Sequence, residues 1–92
     1  MNARRRAYIG ELRFAADVEE KIERKHGLSR EEIEDALLYT SPIGARWHVH
    51  PSFGERLIVT ATTTAGADII CYLAPIDERE GVWACRTAMR RR

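Results

Sequence analysis

The 92-residue sequence lacks the features that mark a membrane-spanning or disulfide-rich chain. No apolar run approaches the roughly 20 residues that a transmembrane helix needs. The first ten residues, MNARRRAYIG, are basic but lack the apolar stretch of a secretory signal. The two cysteines, Cys71 and Cys85, are too few for a disulfide scaffold and lie in apolar, strand-like runs, which favours buried thiols. We therefore expect a cytoplasmic protein that is not attached to a membrane.

The chain has three prolines and six glycines, and it contains no linker, internal repeat or low-complexity tract. These properties predict a single domain over residues 1–92, with short basic tails at 1–7 and 90–92.

The formal net charge is only +1, but the charges are distributed unevenly. Residues 15–40 carry four basic and eight acidic side chains, and the rest of the chain carries eleven basic and six acidic ones. Three arginines lie near each end, at Arg4–Arg6 and Arg90–Arg92. A bound polyanion should therefore avoid residues 15–40 and contact the remainder of the molecule. The alternative is that the terminal arginines are solvated tails.

The stretch RKHGLSREEIEDALL, Arg24–Leu38, predicts two helices joined by a tight turn. Gly27 fits the left-handed position after the first helix. Ser29 and Glu32 form a capping box at the start of the second, and Leu28 with Ile33 fits the hydrophobic staple that accompanies it.

The remaining pattern predicts an α+β fold in which two helices pack on one face of a small antiparallel sheet, in the order β-α-α-β-β-β-β. Asp17 is predicted to cap the first helix, and Ser41-Pro42 to end the second near Tyr39. On the predicted strand Arg56–Thr63, which has the clearest pattern, alternate residues starting at Leu57 should face the helices. The two faces of the last strand cannot be assigned from its pattern. The predicted strands are Tyr8–Phe14, Arg46–His50, Arg56–Thr63, Asp68–Ala74 and Val82–Met89.

Two histidines in one strand, His48 and His50, lie on the same face because strand side chains alternate. This spacing is compatible with a metal, but a third ligand at a recognisable spacing is lacking. Half-exposed histidines without a metal are the simpler interpretation, and imidazoles can transfer protons near neutral pH.

Basic residues elsewhere allow both a structural and a functional interpretation. Lys25 and His26 suit the negative end of a helix dipole. They would gain a function if Arg56, Arg86 and Arg90 converged on them. Arg86 interrupts an apolar strand, so it must be paired or face solvent.

These residues resemble the BrnT-like branch of the RelE/ParE superfamily of bacterial toxins. The resemblance extends over about residues 11–90 and depends on three motifs: Lys25-His26-Gly27, the strand start Glu55-Arg56-Leu57-Ile58, and Thr87-Ala88 near the C-terminus. Members of the family often have a basic residue directly after Ser/Thr-Ala. Here that position is Met89, and the arginine follows at Arg90, so a one-residue slip would reverse its face.

The resemblance implies a type II toxin that cleaves mRNA without a metal or cofactor and is neutralised by a cognate antitoxin. Its reaction would be attack of the RNA 2′-hydroxyl on the adjacent phosphate. His26 would act as acid or base, with His48 or His50 sharing this work, and Lys25, Arg56 and Arg86 or Arg90 would stabilise the phosphate charge. Of these, Lys25, His26 and Arg56 are carried over from the family by position, and the others are chosen for their chemistry. We also expect RNA contacts from Arg46, Trp83 and Arg91, although a core position is the default for a tryptophan in so small a domain.

Two alternatives keep the fold but not the reaction. One is a protein-binding module, as in superfamily members that poison gyrase, and the other is a decayed homologue that only packs against a partner. The assembly is expected to be a homodimer or a toxin–antitoxin heterotetramer.

Overall fold

The computed structural model describes residues 7–39 and 44–91, and its helical hairpin follows the capping pattern of the sequence. Helix α1 spans Ala16–His26 and ends at Gly27, whose φ of 63° is left-handed. Helix α2 has its α-helical part at Arg30–Glu34. The Ser29 hydroxyl accepts a hydrogen bond from the backbone N–H of Glu32 at 3.1 Å, and the Glu32 carboxylate accepts one from the Ser29 N–H at 2.9 Å. The predicted C-cap and capping box are confirmed.

The outer ends of the helices differ from expectation. Ala15 occupies the N-cap of α1 without a side-chain hydrogen bond, so the prediction that Asp17 caps this helix is wrong. Helix α2 continues as a π-helical turn over Asp35–Tyr39. The predicted stop at Ser41-Pro42 lies outside the described residues, as do most of the predicted basic tails, namely residues 1–6 and Arg92.

Five strands form one mixed sheet in the order β1-β5-β4-β3-β2. Strands β2 to β5 are antiparallel neighbours, but β1 pairs with β5 in parallel, from Glu11 opposite Val82 to Arg13 opposite Ala84. The α+β class is therefore confirmed, and the wholly antiparallel sheet is wrong at β1. The strands are β1 Glu11–Arg13, β2 Gly44–His50, β3 Gly54–Thr62, β4 Asp68–Asp77 and β5 Val82–Arg90.

The core lies between the helices and one face of the sheet, which we call the helix face. On β3 this face carries Leu57, Val59 and Ala61, as predicted. The neighbouring strands β4 and β5 contribute Cys71 and Trp83, which are both 0% exposed. The complete helix-face set from β3 to β5 is Leu57, Val59, Ala61, Ile69, Cys71, Leu73, Trp83, Cys85 and Ala88.

The segment before β1 is fixed to the start of β5. The Trp83 indole N–H donates to the carbonyl of Tyr8 at 2.8 Å, and the backbone N–H groups of Gly10 and Glu11 both donate to the carbonyl of Gly81. Gly81 has a φ of 72°, and a Cβ there would lie 2.9 Å from the backbone nitrogen of Gly10. The parallel edge therefore depends on a close backbone contact that only glycine permits.

Among the described residues, no helix combines the length and apolar character that crossing a membrane requires.

Candidate functional site

The C-terminal end of α1 meets the end of β5. The Arg90 guanidinium donates from Nε to the carbonyl of His26 at 3.1 Å and from Nη2 to the carbonyl of Gly27 at 3.2 Å. The last carbonyls of a helix have no partner within it and carry the negative end of its dipole. Arg90 therefore caps α1, while Lys25 is exposed nearby and His26 is half-buried. We call Lys25, His26 and Arg90 the helix-end cluster.

A β-bulge at Arg86 decides which face Arg90 occupies. Cys85 pairs with Leu73, whereas Thr87 pairs with the preceding residue of β4, Tyr72. Arg86 is thus an extra residue in β5, and the alternation of side chains changes phase there. As a result Cys85 and Arg90 both lie on the helix face, and the sequence pattern of this strand could not be assigned to faces without the bulge.

The opposite face of the sheet, which we call the open face, carries a different set of side chains. No described helix covers it, because α1 and α2 both pack on the helix face. Its centre is apolar and aromatic, and Arg46, Arg56, Arg86 and Arg91 lie around it. On β1, Glu11 and Arg13 face the same side because they alternate with buried Leu12. The members on β2 to β5 and just beyond include Arg46, His48, His50, Arg56, Ile58, Thr60, Thr62, Asp68, Ile70, Tyr72, Ala74, Ala84, Arg86, Thr87, Met89 and Arg91.

Three side chains on neighbouring strands of this face are in contact. The Arg56 guanidinium carbon lies 4.6 Å from the centroid of the Tyr72 ring. Arg56 Nε also donates to Nδ1 of His48 at 3.4 Å. The alignment with Tyr72 is a cation–π contact, and it orients the guanidinium across the sheet surface. Because Nδ1 accepts this hydrogen bond, a neutral His48 carries its proton on Nε2.

His50 has a structural role at the turn between β2 and β3. Its Nδ1 accepts hydrogen bonds from the backbone N–H groups of Ser52 at 3.0 Å and Phe53 at 3.2 Å. The His50 and Phe53 rings also pack with centroids 4.6 Å apart. Within the described part of the chain, no three His, Cys, Asp or Glu side chains are grouped so that they could hold a metal ion.

A groove of about 310 Å³ opens on the open face beside this turn. Arg56 and Arg86 line its two sides, and Ala74 on the intervening strand β4 lies between them. The remaining lining residues are Phe53, Glu55 and Thr87. A second depression, of about 260 Å³, is lined at its rim by Arg46 and Arg91, with Ile58, Thr60 and Ile70 among its other lining residues.

The predicted site residues therefore fall into two groups on opposite faces of the sheet. Arg90 pairs with Ile69 on β4, whereas Arg56 precedes Leu57, which pairs with Leu73. Arg56 is thus level with Ala74, five residues from Ile69, and at roughly 3.3 Å per residue the two arginines are about 17 Å apart along the strands, in addition to facing opposite ways. The structure does not bring Arg56 and Arg86 together with Lys25 and His26. Of the three arginines, only Arg90 lies at the end of α1.

Trp83 is 0% exposed and packs in the core, with its ring centroid 5.6 Å from that of Trp47. The prediction that Trp83 contacts RNA is wrong, because its ring is covered and its N–H is bonded to the chain. Two aromatic residues of this region, Phe53 in the groove and Tyr72 beside Arg56, were missed from the sequence. For Tyr72 the signal was present, because it alternates with buried Cys71 and Leu73 and therefore lies on the open face.

Both cysteine thiols lie in the core rather than at either site. They are free, as predicted, and burial raises the pKa of Cys71 and raises that of Cys85 to about 12. Neither is a reactive thiolate at neutral pH.

Comparison with known proteins finds no protein-family model, no curated protein and no solved structure that matches this chain.

Proposed function

We propose that the protein binds single-stranded RNA on the open face and cleaves it without a metal, as the toxin of a type II toxin–antitoxin pair. The observation that supports this most directly is the ring of Arg46, Arg56, Arg86 and Arg91 on a sheet face that no described helix covers. Phosphate contacts from arginine and stacking on exposed rings are the two main sources of affinity for single strands.

The charge distribution favours the same side of the molecule. Residues 15–40, which include both helices, carry four basic and eight acidic side chains, and the rest of the chain has an excess of basic ones. Because a polyanion is repelled by the acidic helical layer, RNA approaches the sheet from the open face.

The chemistry assigned to this face is attack of a 2′-hydroxyl on the adjacent phosphate, which forms a 2′,3′-cyclic phosphate and breaks the bond from phosphorus to the 5′-oxygen. The leaving 5′-oxygen takes a proton from water. Arg56 and Arg86 stabilise the charge that develops on the phosphate oxygens. His48 transfers the proton, since its Nδ1 is the acceptor nitrogen of the neutral ring and is bonded to Arg56 at 3.4 Å. When a phosphate recruits the Arg56 guanidinium, Nδ1 is released and accepts the proton of the 2′-hydroxyl.

The toxin role rests on the resemblance of Lys25-His26-Gly27, the Glu55-Arg56 strand start and Thr87-Ala88 to the BrnT-like branch of the RelE/ParE superfamily. This role implies a cognate antitoxin as partner and a site of action in the cytoplasm. The assembly would be a homodimer of the toxin or a heterotetramer of toxin and antitoxin.

The cleavage assay uses purified protein, a long RNA and a chelator, with RNA ends mapped in cells after induction. We expect cleavage in the presence of the chelator and growth arrest that the neighbouring gene relieves. The variants His48→Ala and Arg56→Ala should lose cleavage, and His26→Ala should retain it. Full activity of both open-face variants, or its loss only in His26→Ala, would move the site to the helix-end cluster. Intact RNA in arrested cells would rule out the reaction.

A second candidate is a protein-binding module of the gyrase-poisoning kind. It is favoured by exposed apolar side chains near the β2 edge, where Val49 is 70% and Phe53 is 72% exposed. This candidate predicts growth arrest with DNA damage and without RNA cleavage.

A further inference from the structure

The groove beside the β2–β3 turn is built by a departure from regular sheet geometry. Arg86 is the extra residue of the β5 bulge, and it lies across β4 from Arg56. Strands β3 and β5 both neighbour β4, so their backbones are about 10 Å apart at roughly 4.8 Å per strand spacing. Two guanidinium groups can therefore reach one anion above Ala74. A bulge that re-aims a side chain is a recurrent device next to functional sites.

The positive charge of the groove suits a phosphate. In the described part of the chain, neither Arg56 nor Arg86 forms an ion pair with a carboxylate. Both guanidinium groups are therefore available to the oxygens of one phosphate, which guanidinium groups bind through paired hydrogen bonds. An internal phosphate of a single strand is the phosphate that the proposed function brings to this face.

The groove also offers a surface for a base. Phe53 lines it and is 72% exposed, and the His50 ring supports Phe53 from one side at a centroid distance of 4.6 Å. The two backbone hydrogen bonds to His50 Nδ1 hold the turn that carries this ring. A ring fixed in this way loses little freedom when a base stacks on it.

We propose that this groove is a nucleotide subsite, in which Arg56 and Arg86 hold one internal phosphodiester and Phe53 stacks on the adjoining base. The subsite rests on the proposed function, and it names the part of the open face that binds RNA most tightly.

The test measures binding by fluorescence anisotropy. The probe is a short fluorescein-labelled RNA whose 2′-hydroxyls are methylated, so that it cannot be cleaved. Arg56→Gln and Arg86→Gln should each weaken binding about tenfold and lower the slope of log K against log salt by about 0.7, the value for one lost contact with a single strand. Phe53→Leu should also weaken binding about tenfold, because stacking is lost, but leave the salt slope unchanged.

Arg24→Gln is the matched control. Arg24 is an exposed arginine on the helical side, with 64% of its side chain exposed. This variant should bind within about twofold of the parent protein. A thermal melt of each variant establishes that it is folded. A terminal 5′-phosphate on the probe should not improve binding.

Three results would overturn the subsite. If Arg56→Gln and Arg86→Gln bind normally while Arg46→Gln does not, RNA lies on the open face but outside the groove, and the proposed function survives. If Phe53→Leu binds normally, no base stacks there. If the parent protein does not bind RNA at all, the proposed function fails together with the subsite.

Discussion

Replacing Arg90 by methionine should lower the stability of the domain, because Arg90 caps α1. The variant loses two hydrogen bonds, to the carbonyls of His26 at 3.1 Å and Gly27 at 3.2 Å. An intramolecular hydrogen bond contributes about 0.5–1.5 kcal/mol, and a cation at a helix C-terminus adds about 0.3–1 kcal/mol. Arg90 is solvent-exposed, so we take the lower part of both ranges and expect a loss of about 1–2 kcal/mol.

Urea unfolding followed by circular dichroism measures this loss. Methionine retains most of the apolar stem, so the comparison isolates the charged head. Arg91→Met is the control, because Arg91 is adjacent and exposed but uses its backbone N–H, which donates to the Asp68 carbonyl at 2.8 Å. The control should cost less than about 0.5 kcal/mol.

The cap would be refuted if the two variants had the same free energy of unfolding. It would also be refuted if Arg90→Met kept its stability but lost RNA binding, because Arg90 would then act on the ligand.

Three further predictions concern local structure. Ser29→Ala should cost about 1 kcal/mol in urea unfolding because it removes the capping box, whereas Ser52→Ala in an exposed turn should cost less than about 0.5 kcal/mol; equal losses would refute the capping role. Gly27→Ala should cost at least about 1 kcal/mol, since its φ of 63° is strained for any residue with a Cβ, and an unchanged unfolding midpoint would contradict this. The raised thiol pKa means that the folded state keeps the proton of Cys85 from its ordinary pKa of 9.0 up to about 12, so stability should fall as the pH rises through that window. The fall should be smaller in the double variant Cys71→Ala/Cys85→Ala, and an equal fall would refute the assignment.

Local features of the fold could be predicted from the sequence because their causes are local. The Gly27 cap and the Ser29–Glu32 box each depend on residues within a few positions of one another, and the alternation from Leu57 reads directly along one strand.

The features that were missed depend on distant parts of the chain. Nothing within Glu11–Arg13 indicates that its partner is β5, and the contact between Gly81 and the backbone of Gly10 exists only in the folded chain. The bulge at Arg86 likewise depends on pairing with β4, so the face of Arg90 could not be read from its distance to Thr87.

The candidate site was affected by the same limit. The sequence identified Arg56, Arg86 and His48 as chemically interesting, and the structure places all three on the open face. The sequence could not separate these residues from Lys25 and His26, because which face of the sheet the end of a helix approaches depends on tertiary packing. The sequence indicated only that Phe53 belongs to a turn, and its place in the groove follows from the hydrogen bonds that its own backbone N–H and that of Ser52 donate to His50.

The central claim is that RNA binds the open face, and one comparison of two triple variants tests it most directly. The first, Arg46→Ala/Arg56→Ala/Arg86→Ala, removes three positive charges from the open face. The second, Lys21→Ala/Arg24→Ala/Lys25→Ala, removes the same number from α1.

Both triple variants have the same net charge, so a non-specific electrostatic effect would weaken RNA binding equally in the two. We expect the open-face variant to lose about 100-fold or more in affinity at constant salt, and the α1 variant to stay within about threefold of the parent protein. Equal losses, or a larger loss in the α1 variant, would contradict the claim.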